Sequence, residues 1–198
     1  MHTKKKKPDF NHLYQIAEDQ AGYFTTKQAH KAGYSCERLS DLTARGQFKR
    51  IHRGIYRLPH FPITRFEDLH IASLKTGPES VISHESALAV YELSDVLPTK
   101  THVIIPRTGS RRRDGIQLHT HKLQEDETIL REGLRVTTVE RTIADVIASG
   151  ISYQHVQQAI LEALQRGLTT EDKLRKQVER RKGRVANYIS LILEDKSS

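Results

Sequence analysis

The stretch that decides the fold is "FKRIHRGIYRL", residues 48–58, in which cationic side chains alternate with apolar ones. Arg53-Gly54 is typical of a tight turn, and "FKRIH" and "IYRL" on either side are typical of short strands. The apolar side chains would attach this hairpin to a domain core. The cations are predicted to point outward or to lie at the tip of the hairpin: Lys49, Arg50, His52, Arg53 and Arg57.

The residues before the hairpin predict three short helices and one strand. Apolar side chains recur at helical spacing over residues 10–20, and a short strand follows at residues 23–24. Thr25 and Gln28 form a capping box that opens a second helix. Ser35 is the predicted N-cap of a third helix. Two short helices separated by a tight glycine-containing turn match the helix-turn-helix pattern.

The third helix has two distinct faces. Leu39 and Leu42 are predicted to point inward, whereas Arg38, Asp41 and Arg45 share the opposite face. One interpretation of that face is an ordinary surface pair between Asp41 and Arg45. The other is that Arg38 and its neighbours enter a DNA major groove, where arginine can bond guanine bidentately. The order of helix, strand, helix, turn, helix and cationic hairpin predicts a winged helix-turn-helix, whose wing follows the phosphate backbone or a minor groove.

Charge is distributed unevenly along the 198 residues. The net charge is +8 and the pI is about 9.6. Residues 1–60 hold 12 Lys/Arg and 5 Asp/Glu, a net of +7, and the remaining residues a net of +1. A basic module joined to a nearly neutral one predicts a polyanionic partner, most simply nucleic acid. Pro59 and Pro62 mark a boundary, which predicts domains at 1–60 and 61–198.

The cellular compartment follows from what the sequence lacks. Its single cysteine, Cys36, excludes an intramolecular disulfide framework and is expected to be packed in the third helix. The start "MHTKKKKPDF" has no apolar region typical of a signal peptide, and no apolar stretch approaches the ~20 residues that span a bilayer. We therefore expect a cytoplasmic protein with no membrane partner. Its lysine run, residues 4–7, is either a solvated tail or a basic arm that follows a DNA groove.

The second predicted domain mixes strands and helices, which indicates an α+β fold with a small, mostly antiparallel sheet and C-terminal helices. Ser83 and Thr137 are predicted helix N-caps, the latter in a capping box with Glu140. The segment "IQLHTHKL" is predicted to return as a strand after the Asp114-Gly115 turn. Further helices are expected at about 65–76, 152–166, 170–182 and 184–194.

Chemistry in this second domain is sparse. His119 and His121 lie two apart on a predicted strand and share a face, but no third ligand of suitable spacing is evident, so no metal site is predicted. His84-Glu85 is interpreted as a capped helix start. A Gly-rich phosphate loop and the carboxylate cluster of a metal-dependent nuclease are both missing. We therefore predict no catalytic residue and no cofactor.

The triplet Arg111-Arg112-Arg113 is predicted to lie at a hairpin tip. Three adjacent cations repel one another, and a phosphate or an acidic partner would relieve that repulsion. The loop is interpreted either as solvated or as a secondary basic contact.

Four blocks together carry a family resemblance. They are "GYFTTKQAHKAGYSCERLSDLTARGQFKRIHRGIYRL" (22–58), "VISHESALAVYEL" (81–93), "HVIIP" (102–106) and "VTTVERTIADVI" (136–147). In this order they resemble the AbiEi-type antitoxins of type IV toxin–antitoxin, or abortive-infection, systems, over roughly residues 10–150. The resemblance implies an N-terminal winged helix-turn-helix and a C-terminal antitoxin domain.

The same resemblance implies a function. Such proteins bind inverted repeats in their own promoter, repress a two-gene operon, and counteract a nucleotidyltransferase-like toxin, often without a stable complex. The family's DNA-contacting positions carry over to the third helix and the wing: Ser35, Arg38, Arg45, Lys49, Arg50 and Arg53. Related proteins can end in a nuclease-like domain, which this chain lacks, so a non-enzyme is expected. The alternatives are a nucleic-acid-directed nuclease or modifying enzyme, and a non-enzymatic adaptor for nucleic acid or protein.

Overall fold

The computed structural model of the protein describes residues 7–93, 95, 98–106 and 113–196. It has the predicted α+β class and forms two compact units. The N-terminal unit contains the described residues up to Pro78 together with Glu132–Leu134, and the second unit contains the others. Apart from Lys7, the lysine run lies outside the described residues. The predicted domain boundary at residue 60 stays a prediction.

The N-terminal unit has the predicted order of elements up to the wing. They are α1 (Phe10–Glu18), β1 (Tyr23–Thr25), α2 (Thr26–Lys31), α3 (Cys36–Ala44), β2 (Lys49–His52), β3 (Ile55–Arg57) and then α4 (Glu67–Thr76). The strands form one antiparallel sheet in the order β1-β3-β2. The helix-turn-helix and its wing are thus present, and α4 follows them.

Side-chain caps define where the short helices begin. Thr25 and Gln28 form the predicted capping box at α2, and the hydroxyl of Ser35 accepts a 3.2 Å bond from the Arg38 amide at α3. Helices of six to nine residues are unstable alone. Packing around one shared core holds them, and its buried members include Leu13, Ala17, Phe24, Ala29, Leu39, Leu42, Phe48 and Leu58.

The second unit combines a five-stranded sheet with helices. Its strands are β4 (Val81–Ile82), β5 (Thr101–Ile105), β6 (Ile116–Thr120), β7 (Thr128–Arg131) and β8 (Leu134–Thr137), of which all residues but Leu134 belong to this unit. Its helices are α5 (His84–Tyr91), α6 (Val139–Ser149), α7 (Tyr153–Gln165), α8 (Glu171–Arg180) and α9 (Arg184–Asp195), with a 3₁₀ turn at Glu125–Glu127. The C-terminal helices are where the sequence predicts them.

The larger sheet is mixed, and the prediction of a mostly antiparallel sheet is wrong there. Its order is β6-β5-β4-β8-β7; β4 runs antiparallel to β5, but β5–β6 and β4–β8 are parallel. The Gly115 carbonyl accepts a 2.8 Å bond from the amide of Thr101, the first residue of β5. Strand β6 therefore starts beside the start of β5 and runs in the same direction, so the predicted Asp114-Gly115 turn is present but β6 does not return along β5.

Two predicted caps in this unit differ from the structure. Ser83 precedes α5 but makes no capping bond, because its hydroxyl lies 2.9 Å from Nδ1 of His84 instead. The N-cap of α6 is Thr138, not Thr137, whose hydroxyl pairs with that of Thr142 at 2.7 Å. Thr137 has the capping-box partner Glu140 three residues later, but its buried hydroxyl is paired with Thr142, and Thr138 caps the helix by accepting from the Arg141 amide. Among the described residues, no helix is long and apolar enough to cross a membrane.

Candidate nucleic-acid interface

Helix α3 presents the polar face that the sequence predicts. Leu39 and Leu42 are buried in the core, whereas Ser35 and Arg38 are exposed. The Ser35 hydroxyl oxygen already accepts the hydrogen bond that caps the helix. The hydroxyl can still donate one hydrogen bond and accept one more at the helix start. Arg38, one turn into the helix, is the exposed cation at the end that recognition helices direct toward base edges.

Arg45 lies at the other end of α3, where its side chain is paired. Its Nε donates a 3.0 Å hydrogen bond to Oδ1 of Asp41. The Arg45 and Asp41 side chains are 65% and 40% exposed, so this is a solvent-screened pair of small energetic value. The surface-pair interpretation is therefore correct in this structure, although the pair is weak enough to be broken by a phosphate.

The wing is an exposed cationic hairpin. Lys49, Arg50, His52 and Arg53 are all exposed, as predicted. The β2–β3 register shifts by one residue between Arg50 and His52, a bulge of the kind that increases local twist and redirects side chains.

The tip of the wing is anchored to the helix-turn-helix. Gly54 has a φ of 75°, a conformation that favours glycine. Its carbonyl accepts a 2.9 Å hydrogen bond from the amide of Thr26, the first residue of α2. The four exposed cations are thus carried on a hairpin whose turn is fixed to the second helix.

Arg57 does not point outward, and that prediction is wrong. Its side chain is 4% exposed, its guanidinium donates to the Phe61 carbonyl, and it lies 5.8 Å from the ring centroid of Tyr23. Arg57 belongs to β3, the central strand of the sheet, and its side chain lies against Phe61 and the Tyr23 ring. The burial counts against Arg57 as a phosphate contact.

The structure also tests the predictions made for Cys36 and for the arginine triplet. Cys36 was expected to be packed but is exposed, with its Sγ 3.4 Å from Nε2 of His30, because it is the first residue of α3. In the arginine triplet, Arg111 and Arg112 lie outside the described residues. Arg113 is partly exposed, and its carbonyl accepts a 3.1 Å bond from the Ile116 amide, which closes the predicted Asp114-Gly115 turn.

The second unit contains a group that the sequence did not predict. Ring nitrogens of His84, His102 and His119 all lie within 4.8 Å of one another. Burial lowers the pKa of His84 to about 3 and that of His119 to about 4. His121, the predicted partner of His119, is exposed beyond the end of β6 and is not in this group.

His102 was missed because it lies in a different strand, and spacing along one segment does not show which residues of two strands pair. In the parallel pair, His102 lies opposite Gln117 and His119 opposite Ile104, which makes the two histidines diagonal neighbours on one face. An antiparallel pairing of the same two strands, with Ile105 opposite Ile116, would also place His102 opposite His119. The available sequence signal was that "THVII" read backwards resembles "IQLHT", with a histidine at the matching position.

Comparison with known proteins supports the fold and the N-terminal family. The structure resembles the crystal structure of the RV2827C protein from Mycobacterium tuberculosis, with a TM-score of 0.53 and 13% sequence identity, covering 93% of this chain and 75% of that chain. At this identity the likeness shows the fold alone. No curated protein matches the chain.

A family model described as "Transcriptional regulator, AbiEi antitoxin" matches residues 12–59. These residues run from α1 to the end of the wing and contain every predicted DNA contact outside the arginine triplet. The family resemblance predicted from the sequence is confirmed over this range. Residues 12–59 are therefore similar to the AbiEi antitoxin family of transcriptional regulators.

Proposed function

We propose that this chain is a DNA-binding transcriptional autorepressor that also serves as the antitoxin of a type IV toxin–antitoxin operon. The observation that carries the proposal is the row of exposed wing cations directly after an exposed helix α3, within residues that match AbiEi regulators. The protein acts in the cytoplasm, has no catalytic activity of its own, and recognises inverted repeats in its own promoter.

Helix and wing have different roles in this proposal. Arg38 reads a base edge in the major groove, because bidentate arginine–guanine contacts discriminate between bases by about 1–3 kcal/mol. Lys49, Arg50 and Arg53 neutralise phosphates and release counterions, which provides affinity without sequence preference. His52 adds a hydrogen-bond donor beside them. An inverted repeat then places one chain on each half-site.

The antitoxin role is assigned to the second unit. The support is the resemblance of the blocks at residues 81–93, 102–106 and 136–147 to the same family, in the same order. In this proposal the second unit counteracts a nucleotidyltransferase-like toxin encoded in the same operon.

Binding to the protein's own upstream DNA, measured against scrambled DNA of equal length across a salt series, tests the repressor role. Selective binding is expected for the wild type. Arg38→Ala should reduce the difference in affinity between the two DNAs. Lys49→Ala should weaken binding to both and lower the salt slope, the slope of log affinity against log salt concentration, by about 0.9. Equal affinity of the wild type for both DNAs would contradict a specific repressor.

Growth rescue on co-expression with the neighbouring toxin gene tests the antitoxin role. The double variant Lys49→Ala/Arg53→Ala should lose promoter repression and still rescue growth, since the two activities lie in different units. Failure of the wild-type chain to rescue growth would refute the antitoxin role and leave the repressor role standing.

A further inference from the structure

Three separate stretches of the second unit bring imidazole rings together. His84 opens α5, His102 lies in β5 and His119 lies in β6. Nδ1 of His102 and Nε2 of His119 are 3.1 Å apart, and a ring nitrogen of His84 completes a set within 4.8 Å. Within the described residues, this is the group of His, Cys, Asp or Glu side chains whose spacing suits a metal ion.

The backbone around the cluster is fixed by buried contacts. The Ser83 amide donates to the His102 carbonyl at 3.1 Å, and the His102 amide donates to the Ser86 hydroxyl at 2.9 Å. His84 has a φ of 51°, a left-handed conformation that is unfavourable for a histidine. The start of α5 is therefore held against β5 in a way that keeps His84 near the two strands.

A carboxylate accompanies the three rings. Oε2 of Glu85 lies 3.0 Å from Nδ1 of His102, within ion-pair distance. The same oxygen is buried and has no hydrogen-bond partner, because the approach to His102 lacks hydrogen-bond geometry. A buried carboxylate oxygen without a partner is destabilising. It is also the kind of atom that a bound cation would satisfy.

We propose that His84, His102 and His119 hold a divalent transition-metal ion, with Zn²⁺ as the best match, and that Glu85, beside His102, supplies the carboxylate of the site. Imidazole nitrogens are ordinary zinc ligands, and three of them leave one position of a tetrahedral shell for a carboxylate oxygen or a water. Two nitrogens that share a tetrahedral zinc at ~2.0–2.1 Å lie roughly 3.3 Å apart. The 3.1 Å between His102 and His119 is close to that separation.

Binding requires one ring to turn. The His84 and His119 rings are stacked with centroids 3.7 Å apart and planes 15° apart, so their in-plane lone pairs do not converge on one point. The χ2 torsion of histidine is broad, and rotation about it realigns a ring without moving the backbone. The site is therefore partly preorganised, with strand positions set and ring orientations adjusted by the ion.

The ion would have a structural role. It would join the start of α5 to two strands that are distant from it in the sequence, and metal binding of this kind adds directly to folding stability. This inference concerns the second unit and is independent of DNA binding, so it goes beyond the proposed function.

Metal titration of the chelator-treated, full-length protein tests the site. Co²⁺ should give the visible absorption bands of a tetrahedral complex, and Zn²⁺ should displace it at one ion per chain and raise the midpoint of thermal unfolding. His102→Ala and His119→Ala should abolish this binding, and Glu85→Gln should weaken it by about tenfold or more. His60→Ala, which removes an exposed histidine of the N-terminal unit, should leave it unchanged. Unchanged stoichiometry and affinity in His102→Ala/His119→Ala would overturn the proposal.

A measurement on the wild-type chain covers the case in which these variants do not fold. Imidazole ¹⁵N resonances of His84, His102 and His119 should shift together on addition of one equivalent of Zn²⁺. Those of His60 and His155 should stay in place. Shifts confined to other histidines, or no shift at all, would overturn the site.

Discussion

The hydroxyl of Tyr23 donates a 2.6 Å hydrogen bond to Oε2 of Glu67, forty-four residues further along the chain. The Tyr23 ring also stacks on the imidazole of His70, with centroids 5.3 Å apart and planes 13° apart. Strand β1 of the winged helix is thus bonded to α4, which lies beyond the end of the wing. These contacts explain why the compact N-terminal unit continues to Pro78.

We expect Tyr23→Phe to lower the free energy of unfolding by about 1.5–3 kcal/mol, because a hydrogen bond to an ionised carboxylate is lost at a buried position. Urea denaturation measures the change. Tyr14→Phe, at a tyrosine that is 39% exposed, is the matched control and should change stability by less than about 0.5 kcal/mol. Equal effects of the two variants would show that the bond to Glu67 adds no stability.

Arg57 and Lys49 lie opposite each other in the β2–β3 register, yet we predict that they act differently. Arg57→Met should destabilise the fold, because the buried guanidinium contacts the Phe61 carbonyl and the Tyr23 ring. It should leave the salt dependence of DNA binding unchanged. Lys49→Met should do the reverse, lowering the salt slope by about 0.9 with little loss of stability.

Thermal unfolding and binding isotherms at several salt concentrations, measured on both variants, separate these effects. A reduced salt slope in a folded Arg57→Met protein would show that Arg57 reaches a phosphate after all. Arg57→Met and Lys49→Met thus serve as controls for each other.

His70 should make stability depend on pH. Burial lowers its pKa to about 4, whereas the unfolded chain has the ordinary value of 6.5. Between these two pH values the unfolded state binds a proton that the folded state does not. The free energy of unfolding is therefore unaffected by protonation of His70 above pH 6.5 and decreases as pH falls toward 4. The loss amounts to on the order of 3 kcal/mol.

His70→Phe keeps an aromatic ring beside Tyr23 and removes this titration. The difference in unfolding free energy between the variant and the wild type should therefore change across pH 6.5 to 4, in favour of the variant at low pH. Urea denaturation at a series of pH values measures it, with His60→Phe at an exposed position as the control. A difference that stays constant with pH would refute the assignment.

Arg141 is the centre of a buried ionic network in the second unit. Its Nε lies 2.9 and 3.0 Å from the two carboxylate oxygens of Asp145, and a terminal nitrogen lies 2.9 Å from Oε1 of Glu127. Arg141→Met removes the hydrogen-bonded partner of the buried Asp145 and leaves Glu127 only the Gln124 amide and Arg181 at 3.9 Å, so it should cost about 3–5 kcal/mol of stability.

The control for Arg141 is Arg175, which is 54% exposed and 3.9 Å from a carboxylate oxygen of Glu171. Arg175→Met should cost no more than about 1 kcal/mol. Chemical denaturation of both variants measures these losses of stability. Similar losses in the two variants would mean that the buried network contributes no more than a surface pair.

Local patterns predict the N-terminal unit well. The capping box of Thr25 and Gln28, the cap at Ser35 and the inward-facing Leu39 and Leu42 each depend on residues within one or two helical turns. Arg57 was placed wrongly because its charge suggested exposure, although alternation along β3 puts it on the same face as the buried Ile55. The contacts that bury it come from Tyr23 and from Phe61, which follows the wing.

Long-range pairing explains the remaining differences. A turn dipeptide such as Asp114-Gly115 predicts a hairpin, but the direction of β6 is set by its pairing with β5 over the whole strand. The histidine group depends on the pairing of β5 with β6 and on the contact between Ser83 and His102. Neither the parallel register nor this contact leaves a local pattern, so the group appears only in three dimensions.

The pair between Asp41 and Arg45 provides the last prediction, which depends on the proposed DNA binding. Asp41→Asn removes a negative charge from the exposed face of α3 and releases the Arg45 guanidinium from its 3.0 Å bond. If this face lies against DNA, affinity for the upstream DNA should rise and the salt slope should increase by about 0.9, as one more phosphate is neutralised. Stability should fall by only about 0.2–0.5 kcal/mol. Asp172→Asn, at an exposed position in α8, changes the net charge equally and is the control. A gain in affinity that is the same for both variants would assign the effect to net charge and remove α3 from the interface.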